Sequence, residues 1–208
     1  MIDLYTWNTP NGFKASIMLE ELGLPYSVHP VNIVKREQFA PDFLKISPNN
    51  KIPAIVDQET GQSVFESGAI LIYLAEKTGS SLLPASGPAR AATLEWLMFQ
   101  MASIGPMFGQ YNHFTVYAKE KVPYGVTRYT DEVKRIFGVM EKRLAETPYL
   151  AGDYSIADIA SFAWSRSVHK RVTKDDAAFP DATPHVRGWL ERVGARDAVQ
   201  RGLTVPNV

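Results

Sequence analysis

Apolar and β-rich residues alternate from Ile2 to Trp7, a period of two that predicts a first strand. Thr9-Pro10-Asn11-Gly12 breaks it. Ala15, Ile17, Met18, Leu19 and Leu22 then recur at helical spacing until Gly23, the residue type that ends helices in the left-handed region. Tyr26 to Val31 reads as a second strand and Pro41 to Ile46 as a short helix. Ile52 to Val56 and Ser63 to Phe65 read as two short strands, joined by Gln58-Glu59-Thr60-Gly61, a hairpin loop with glycine at its left-handed position. Ser67 to Lys77 is helical, with Ile70, Leu71 and Leu74 on one face. The order βαβαββα predicts a small mixed sheet with helices on it.

Gly79-Ser80-Ser81-Leu82-Leu83-Pro84-Ala85-Ser86-Gly87-Pro88 has the composition of a linker. Beyond it the strand pattern stops. Ala89 to Met101, Tyr124 to Leu144, Ser155 to His169 and Pro184 to Val193 all read as helices. The expected organisation is an α/β domain over 1–79, a linker over 80–88 and an all-helical domain over 89–208. Tyr154-Ser155-Ile156-Ala157-Asp158-Ile159 carries the pattern of a capping box, Ser155 against Asp158, with Tyr154 and Ile159 spaced as a hydrophobic staple. Removing such a cap costs on the order of 1 kcal/mol.

Composition narrows the function. The 208 residues carry 22 Lys plus Arg against 22 Asp plus Glu, so no global field favours nucleic acid or an anionic membrane. The N-terminus lacks the basic-then-apolar pattern of a signal peptide, and no apolar run reaches the ~20 residues of a membrane span, so the cytosol is the expected location. There is no cysteine, which excludes disulfide staples, thiolate metal sites and a cysteine nucleophile. Sulfur chemistry is left open only if a ligand brings the thiol. His29, His113, His169 and His185 lie too far apart to show metal-ligand spacing, so no metal is expected.

Two stretches carry chemistry. At Ile52-Pro53, proline cannot donate to a strand ladder and belongs at a strand's start or edge. It either blunts an edge strand or forms a cis bond that turns the Ile52 N–H and C=O outward, where an extended peptide can pair with them. At Glu66-Ser67, the serine stands where a helix begins and is either an N-cap or part of a carboxylate site built on free amides. Glu66 beside it can take an ammonium. Together the pair suits the α-amino-acid end of a peptide whose backbone continues toward Ile52.

The chain resembles the glutathione transferase superfamily over essentially its whole length. The resemblance rests on Thr9-Pro10-Asn11-Gly12, Gln38-Phe39, the run Ser47-Pro48-Asn49-Asn50-Lys51-Ile52-Pro53-Ala54-Ile55-Val56-Asp57, Phe65-Glu66-Ser67-Gly68-Ala69-Ile70 and Gly105-Pro106-Met107, which are similar to the bacterial nu-class branch. It implies a thioredoxin-like N-terminal domain followed by a helical one, a homodimer, and glutathione as the ligand. Ile52, before a cis Pro53, then pairs with the cysteinyl backbone. Glu66 and Ser67 hold the γ-glutamyl end, Gln38 with Asn50 and Lys51 approach the glycyl end, and Thr9 and Asn11 lie near the sulfur.

Thr9 also suits an N-cap with Pro10 as the first helical residue, and a hydroxyl can accept in that role while donating its proton to a thiolate. Tyr5, the rival activator in some transferase classes, sits inside the strand and is expected in the core. Related glutaredoxin-like and omega-type proteins place a cysteine where this chain has Thr9-Pro10-Asn11, so no mixed disulfide between enzyme and glutathione can form. Disulfide reduction would therefore need two glutathiones, one to attack and one to resolve. Arg128 is the candidate for the second, against a solvated helix face. Gln110, Tyr111 and His113, after the Gly105-Pro106 break, are expected to line the same cleft. Met98, Met101 and Met107 suit a core or dimer interface at helical spacing, or an adaptable pocket. The expected activity is glutathione-dependent disulfide reduction. The alternatives are conjugation or peroxide reduction, and a non-catalytic binding module.

Overall fold

A computed structural model describes residues 1–208, which form two compact units: 1–85 with 194–208, and 86–193. In the first unit four strands, β1 (Ile2–Thr6), β2 (Tyr26–Pro30), β3 (Ala54–Asp57) and β4 (Gln62–Phe65), lie in the order β2-β1-β3-β4. β1 is parallel to β2 and antiparallel to β3, and β4 returns antiparallel to β3. The period of two sorts side chains onto two faces. Ile2 and Leu4 are fully buried on the face that α1 (Pro10–Leu22) and α3 (Ser67–Thr78) cover. Tyr5 and Ala54, partners in register, point the other way. There they meet Val31, Phe43, Ile46 and Ile52, under the short helix α2 (Pro41–Ile46).

The β3–β4 hairpin is pinned by one carboxylate. Asp57 has no exposed surface and accepts from the Tyr73 hydroxyl at 2.6 Å, the Lys77 ammonium at 2.8 Å and the Glu59 amide at 3.0 Å. Burial pushes its carboxyl up, but these donors outweigh that and hold it at about 2. The hairpin is thereby tied to the last turns of α3.

The sequence pattern places 194–208 with the helical region, but packing places it with the sheet unit. α10 (Asp197–Gly202) lies against α1. The Ser16 hydroxyl donates to the Gly202 carbonyl at 2.7 Å, and a Cβ on Gly202 would stand 2.6 Å from the Ile17 Cα. Arg196 and Arg201 pair with Glu21 and Glu20 at 2.7 Å each. Glycine permits the contact and two ion pairs frame it, a signal outside hydrophobic periodicity.

The second unit is helical. α4 (Gly87–Phe99) runs through a π turn (Gln100–Ile104) into α5 (Gly105–Asn112), and a second π turn (His113–Tyr117) ends that stretch. The expected break at Gly105-Pro106 is absent. Gly105 keeps right-handed angles, φ −58° and ψ −58°, and the wide turn before it accommodates the proline ring. α6 (Pro123–Glu146), α7 (Ile156–Asp175), α8 (Phe179–Ala182) and α9 (Pro184–Gly194) complete the unit. Phe108, Phe137, Met140, Phe162 and Trp189 fill its core. Met98 is instead exposed, and Met101 and Met107 are half-buried.

Asp158 is the polar centre of this unit. One carboxylate oxygen accepts from the Leu150 amide at 3.0 Å and the Trp189 indole at 2.8 Å, and the other from the Ser155 amide at 3.0 Å and hydroxyl at 3.3 Å. The capping box is present, with the Ser155 hydroxyl accepting from the Ala157 amide at 3.3 Å. The Tyr154 ring meets Tyr149 edge-on, 5.4 Å between centroids. No helix is long and apolar enough to cross a membrane.

Candidate functional site

Strand register brings the two chemistry-bearing stretches together. Tyr5, near the end of β1, pairs with Ala54 at the start of β3, and Ala54 pairs with Phe65 at the end of β4. The loop after β1, the Ile52-Pro53 bond and Glu66-Ser67 therefore leave the sheet at the same end. Two inter-strand spacings separate β1 from β4, roughly 10 Å.

The Ile52-Pro53 bond is cis. Asn50 precedes it in the left-handed region at φ 50°, its amide donating to the Ser47 carbonyl at 2.9 Å. The Ser47 hydroxyl donates to the Lys51 carbonyl at 2.8 Å, fixing the loop from inside. Ile52 packs its side chain into the Tyr5–Phe43 cluster, and no backbone hydrogen bond within the chain reaches its amide or carbonyl.

Glu66, not Ser67, is the N-cap of α3. Its backbone sits at φ 69°, ψ 116°, and its side chain makes no capping bond. A side chain held there costs of order 1–3 kcal/mol, a cost found where function constrains the backbone. Its carbonyl accepts the first helical bond, from the Ile70 amide at 2.9 Å, so the amides of Ser67, Gly68 and Ala69 head the helix. The exposed Glu66 carboxylate meets the Asn49 amide nitrogen at 3.3 Å. Ser67 is the first residue of α3 and 8% exposed, with the Lys14 ammonium donating to its hydroxyl at 3.3 Å. The sequence assigns a role to neither Asn49 nor Lys14. Asn49 is one of a run of polar loop residues, and Lys14 sits in a helix whose apolar spacing gives no reason to single out a lysine.

At the neighbouring strand end, the Thr9 hydroxyl accepts from the Gly12 amide at 3.1 Å, which makes Thr9 the N-cap of α1 with Pro10 at its start. A Cβ on Gly12 would lie 2.2 Å from the Trp7 carbonyl oxygen, so glycine is what lets the first turn press against the strand end. The cap uses a lone pair and leaves the hydroxyl proton to give. Asn11 is half-buried in the same turn. Tyr5 is not beside them: its ring stacks on His29 at 4.7 Å on the α2 side, and burial pushes its hydroxyl up, away from any role as an acid. Gln38 lies on a 3-10 turn (Glu37–Phe39) with its side-chain carbonyl oxygen buried and without a partner. Lys51 is exposed.

In the helical unit, Arg128 is exposed on α6 and lines a cleft of about 580 Å³ with Met107, Tyr124, Thr127, Asp131 and Arg135. The three residues expected beside it do not line it. Tyr111 is 2% exposed and turned into the core, where burial pushes its hydroxyl up. Gln110 and His113 are exposed, and His113 meets Phe114 edge-on at 5.1 Å. Helical spacing across the missed α5 accounts for this, since Phe108 and Tyr111 are i and i+3 on its inward face.

The chain belongs to the glutathione S-transferase family: its N-terminal domain model matches residues 1–76 and its C-terminal domain model residues 106–197. The chain is 47% identical to the disulfide-bond oxidoreductase YfcG of Escherichia coli K12, over 98% of this chain and 94% of that protein. Among solved structures, a glutathione transferase family member from Pseudomonas fluorescens with two glutathione bound is 47% identical, with a TM-score of 0.92 over 99% of this chain and 93% of that one. A glutathione transferase from Pseudomonas putida, with one glutathione disulfide bound per subunit, is 45% identical, with a TM-score of 0.90 over 99% of this chain and 91% of the other.

Proposed function

We propose that this chain is a glutathione-dependent disulfide-bond oxidoreductase of the nu class, and that it works as a homodimer in the cytosol, where thiols are kept reduced. The observation that carries this reading is the shared sheet end. An extended tripeptide spans roughly 10 Å, the distance across β1, β3 and β4. Its γ-glutamyl end fits Glu66 and the α3 amides, its cysteinyl backbone pairs with Ile52, and its sulfur reaches the first turn of α1. Gln38, with its unpartnered oxygen, and Asn50 with Lys51 flank the glycyl end.

A free thiol has a pKa of about 8.5, so only a few per cent is thiolate at neutral pH. Lowering it by about two units takes roughly 2.7 kcal/mol. A hydrogen bond to a charged group contributes ~1.5–3 kcal/mol, so donation from Thr9 and Asn11 is of the required size. The helix N-terminus adds to it. The bound thiolate attacks one sulfur of the substrate disulfide, forming a mixed disulfide with glutathione and releasing the other sulfur as a thiolate. A second glutathione thiolate attacks that mixed disulfide, forming glutathione disulfide and releasing the remaining substrate thiolate. Both substrate thiolates leave with protons from solvent. Arg128, exposed in its cleft, is the proposed partner of the second glutathione's carboxylates.

The test is turnover of a small disulfide, a peroxide and a chloroaromatic by one preparation, each with glutathione. Fastest turnover of the disulfide, with no glutathione adduct on the protein by mass spectrometry, is expected. A faster chloroaromatic reaction, or a covalent adduct during turnover, would overturn the assignment.

A further inference from the structure

The two faces of the sheet are unequally covered. α1 and α3, 13 and 12 residues long, close one face, while the other carries α2, six residues long. Six residues make about 9 Å of helix, too little to roof four strands that together span roughly 14 Å. Beside α2 a hollow of about 260 Å³ is left, walled by the rings of Tyr5, His29 and Phe43 and by Val31, Ala40 and Ile46. Tyr5 stacks on His29 with centroids 4.7 Å apart and is tilted 49° from Phe43 at 6.3 Å, so the rings form a fixed apolar wall. Asp3 orients His29 from behind at 3.1 Å. None of the groups of the proposed clamp, Ile52, Glu66 and Ser67, lines the hollow.

The fixed charges on its rim have one sign. Glu37 and Asp42 line it, and no lysine or arginine does. Asp42 is paired with Lys45 at 2.8 Å, so the uncompensated acid is Glu37. One Glu37 oxygen accepts from the Asn32 amide at 2.7 Å, and no hydrogen bond within the protein reaches the other. Arg36, next to it in the chain, is turned onto the Phe39 ring, 5.1 Å from the centroid.

We propose that this hollow is a second small-molecule site, separate from the glutathione clamp, and that it takes an arylalkyl ammonium, its ring laid against Tyr5 and Phe43 and its cation at Glu37. The volume falls below the roughly 300–1,000 Å³ of sites for drug-sized molecules, which sets the ligand at one or two rings. Aromatic walls favour a flat apolar body. The acidic rim attracts a cation and repels an anion, and the ring faces add to the attraction for a cation. The inference does not rest on the glutathione reading.

The experiment is calorimetric titration of the full chain at pH 7.5 with tryptamine, 3-methylindole and indole-3-propionate, which share a ring system and differ in charge. Each is run with and without excess S-methylglutathione, whose blocked sulfur carries no proton. Tryptamine is expected to bind about 10-fold more tightly than indole-3-propionate, with 3-methylindole between them, and to bind equally well with S-methylglutathione present. Ala40→Leu fills the hollow from its exposed rim, in extended backbone before Pro41 that leucine adopts freely, and should weaken tryptamine about 10-fold. Glu37→Gln keeps an acceptor for the Asn32 amide and should remove most of the preference for tryptamine over 3-methylindole. Should Ala40→Leu not fold, Glu37→Gln decides alone, since it changes charge without changing volume. No binding of tryptamine by wild type, tighter binding of the propionate, or tryptamine affinity unchanged in both variants would overturn the site. So would binding that S-methylglutathione abolishes and Ala40→Leu leaves intact, the behaviour of an amine held in the clamp.

Discussion

Replacing Asp158 by alanine tests whether a capping box here is only a cap. Three buried donors, the amides of Leu150 and Ser155 and the Trp189 indole, lose their acceptor. At ~1–3 kcal/mol each, that is roughly 6 kcal/mol. Removing the carboxylate returns part of it. Burial, opposed by those hydrogen bonds, pushes the carboxyl from 3.8 up to about 6, so ionising it in the fold costs about 3 kcal/mol at pH 7. The net loss near pH 7.5 is therefore roughly 3 kcal/mol, against the ~1 kcal/mol of a cap alone. It should lower the melting temperature by roughly 6–12 °C for a chain of this size. The pH dependence has a definite sign. A carboxyl raised in the fold binds a proton between pH 4 and 6 that the unfolded chain lacks. Its stabilising contribution is therefore complete below pH 3.8 and lost as pH rises through 6. The gap between wild type and Asp158→Ala should thus widen at pH 5 by about 1.4 kcal/mol. Urea denaturation at both pH values measures it. A gap near 1 kcal/mol at pH 7.5, or one that narrows at pH 5, would refute the reasoning.

Ser67→Ala is expected to weaken S-methylglutathione binding by roughly 10- to 100-fold at pH 7, the value of a charge-assisted hydrogen bond, with calorimetry as the measure and unchanged affinity as the contrary result. Glu66→Gly removes the strain of a side chain at φ 69° and should raise stability by about 1 kcal/mol while weakening binding of the same ligand. A lower melting temperature in that variant would show that Glu66 stabilises the free fold.

Much of the sheet unit was legible because its signals are local. Alternation marked β1, Gly23 and Gly61 marked turns, and Thr9-Pro10 marked a helix start. Pro53 admitted a cis bond without choosing it. What periodicity does not carry is register, and register brings Thr9, Ile52 and Glu66 to one end of the sheet. Lys14 was illegible for a related reason: a lysine in Phe13-Lys14-Ala15-Ser16 reads as ordinary helix, and only the approach of α3 makes it buried. Trp189 lies far from Asp158 in sequence, so the box was visible but its third donor was not. Gly105-Pro106 read as a break because the π turn that absorbs the proline has no signature in residue types.

Two departures from ordinary folding preference meet at Ser67: a glutamate in the left-handed region on one side and a buried lysine behind it. The glutamate destabilises the free protein and is not needed to build a helix, since glycine would serve the backbone better there. Its neighbourhood is correspondingly over-determined. Asp57 ties the β3–β4 hairpin to Tyr73 and Lys77 of α3, and Asn49 reaches Glu66 from the loop before β3. The frame can hold the strained glutamate because Asp57 fixes the hairpin to α3 away from Glu66 and Ser67. Thr9, by contrast, is an ordinary cap in relaxed extended geometry, φ −144° and ψ 158°. The cost in this fold is thus concentrated where the proposed clamp would recognise a charged amino-acid end, while the proposed sulfur site at Thr9 and Asn11 keeps ordinary helix-start geometry. That asymmetry suits an enzyme whose nucleophile arrives with its ligand, because with no cysteine in the chain the reactive sulfur can be positioned only by holding the rest of the peptide.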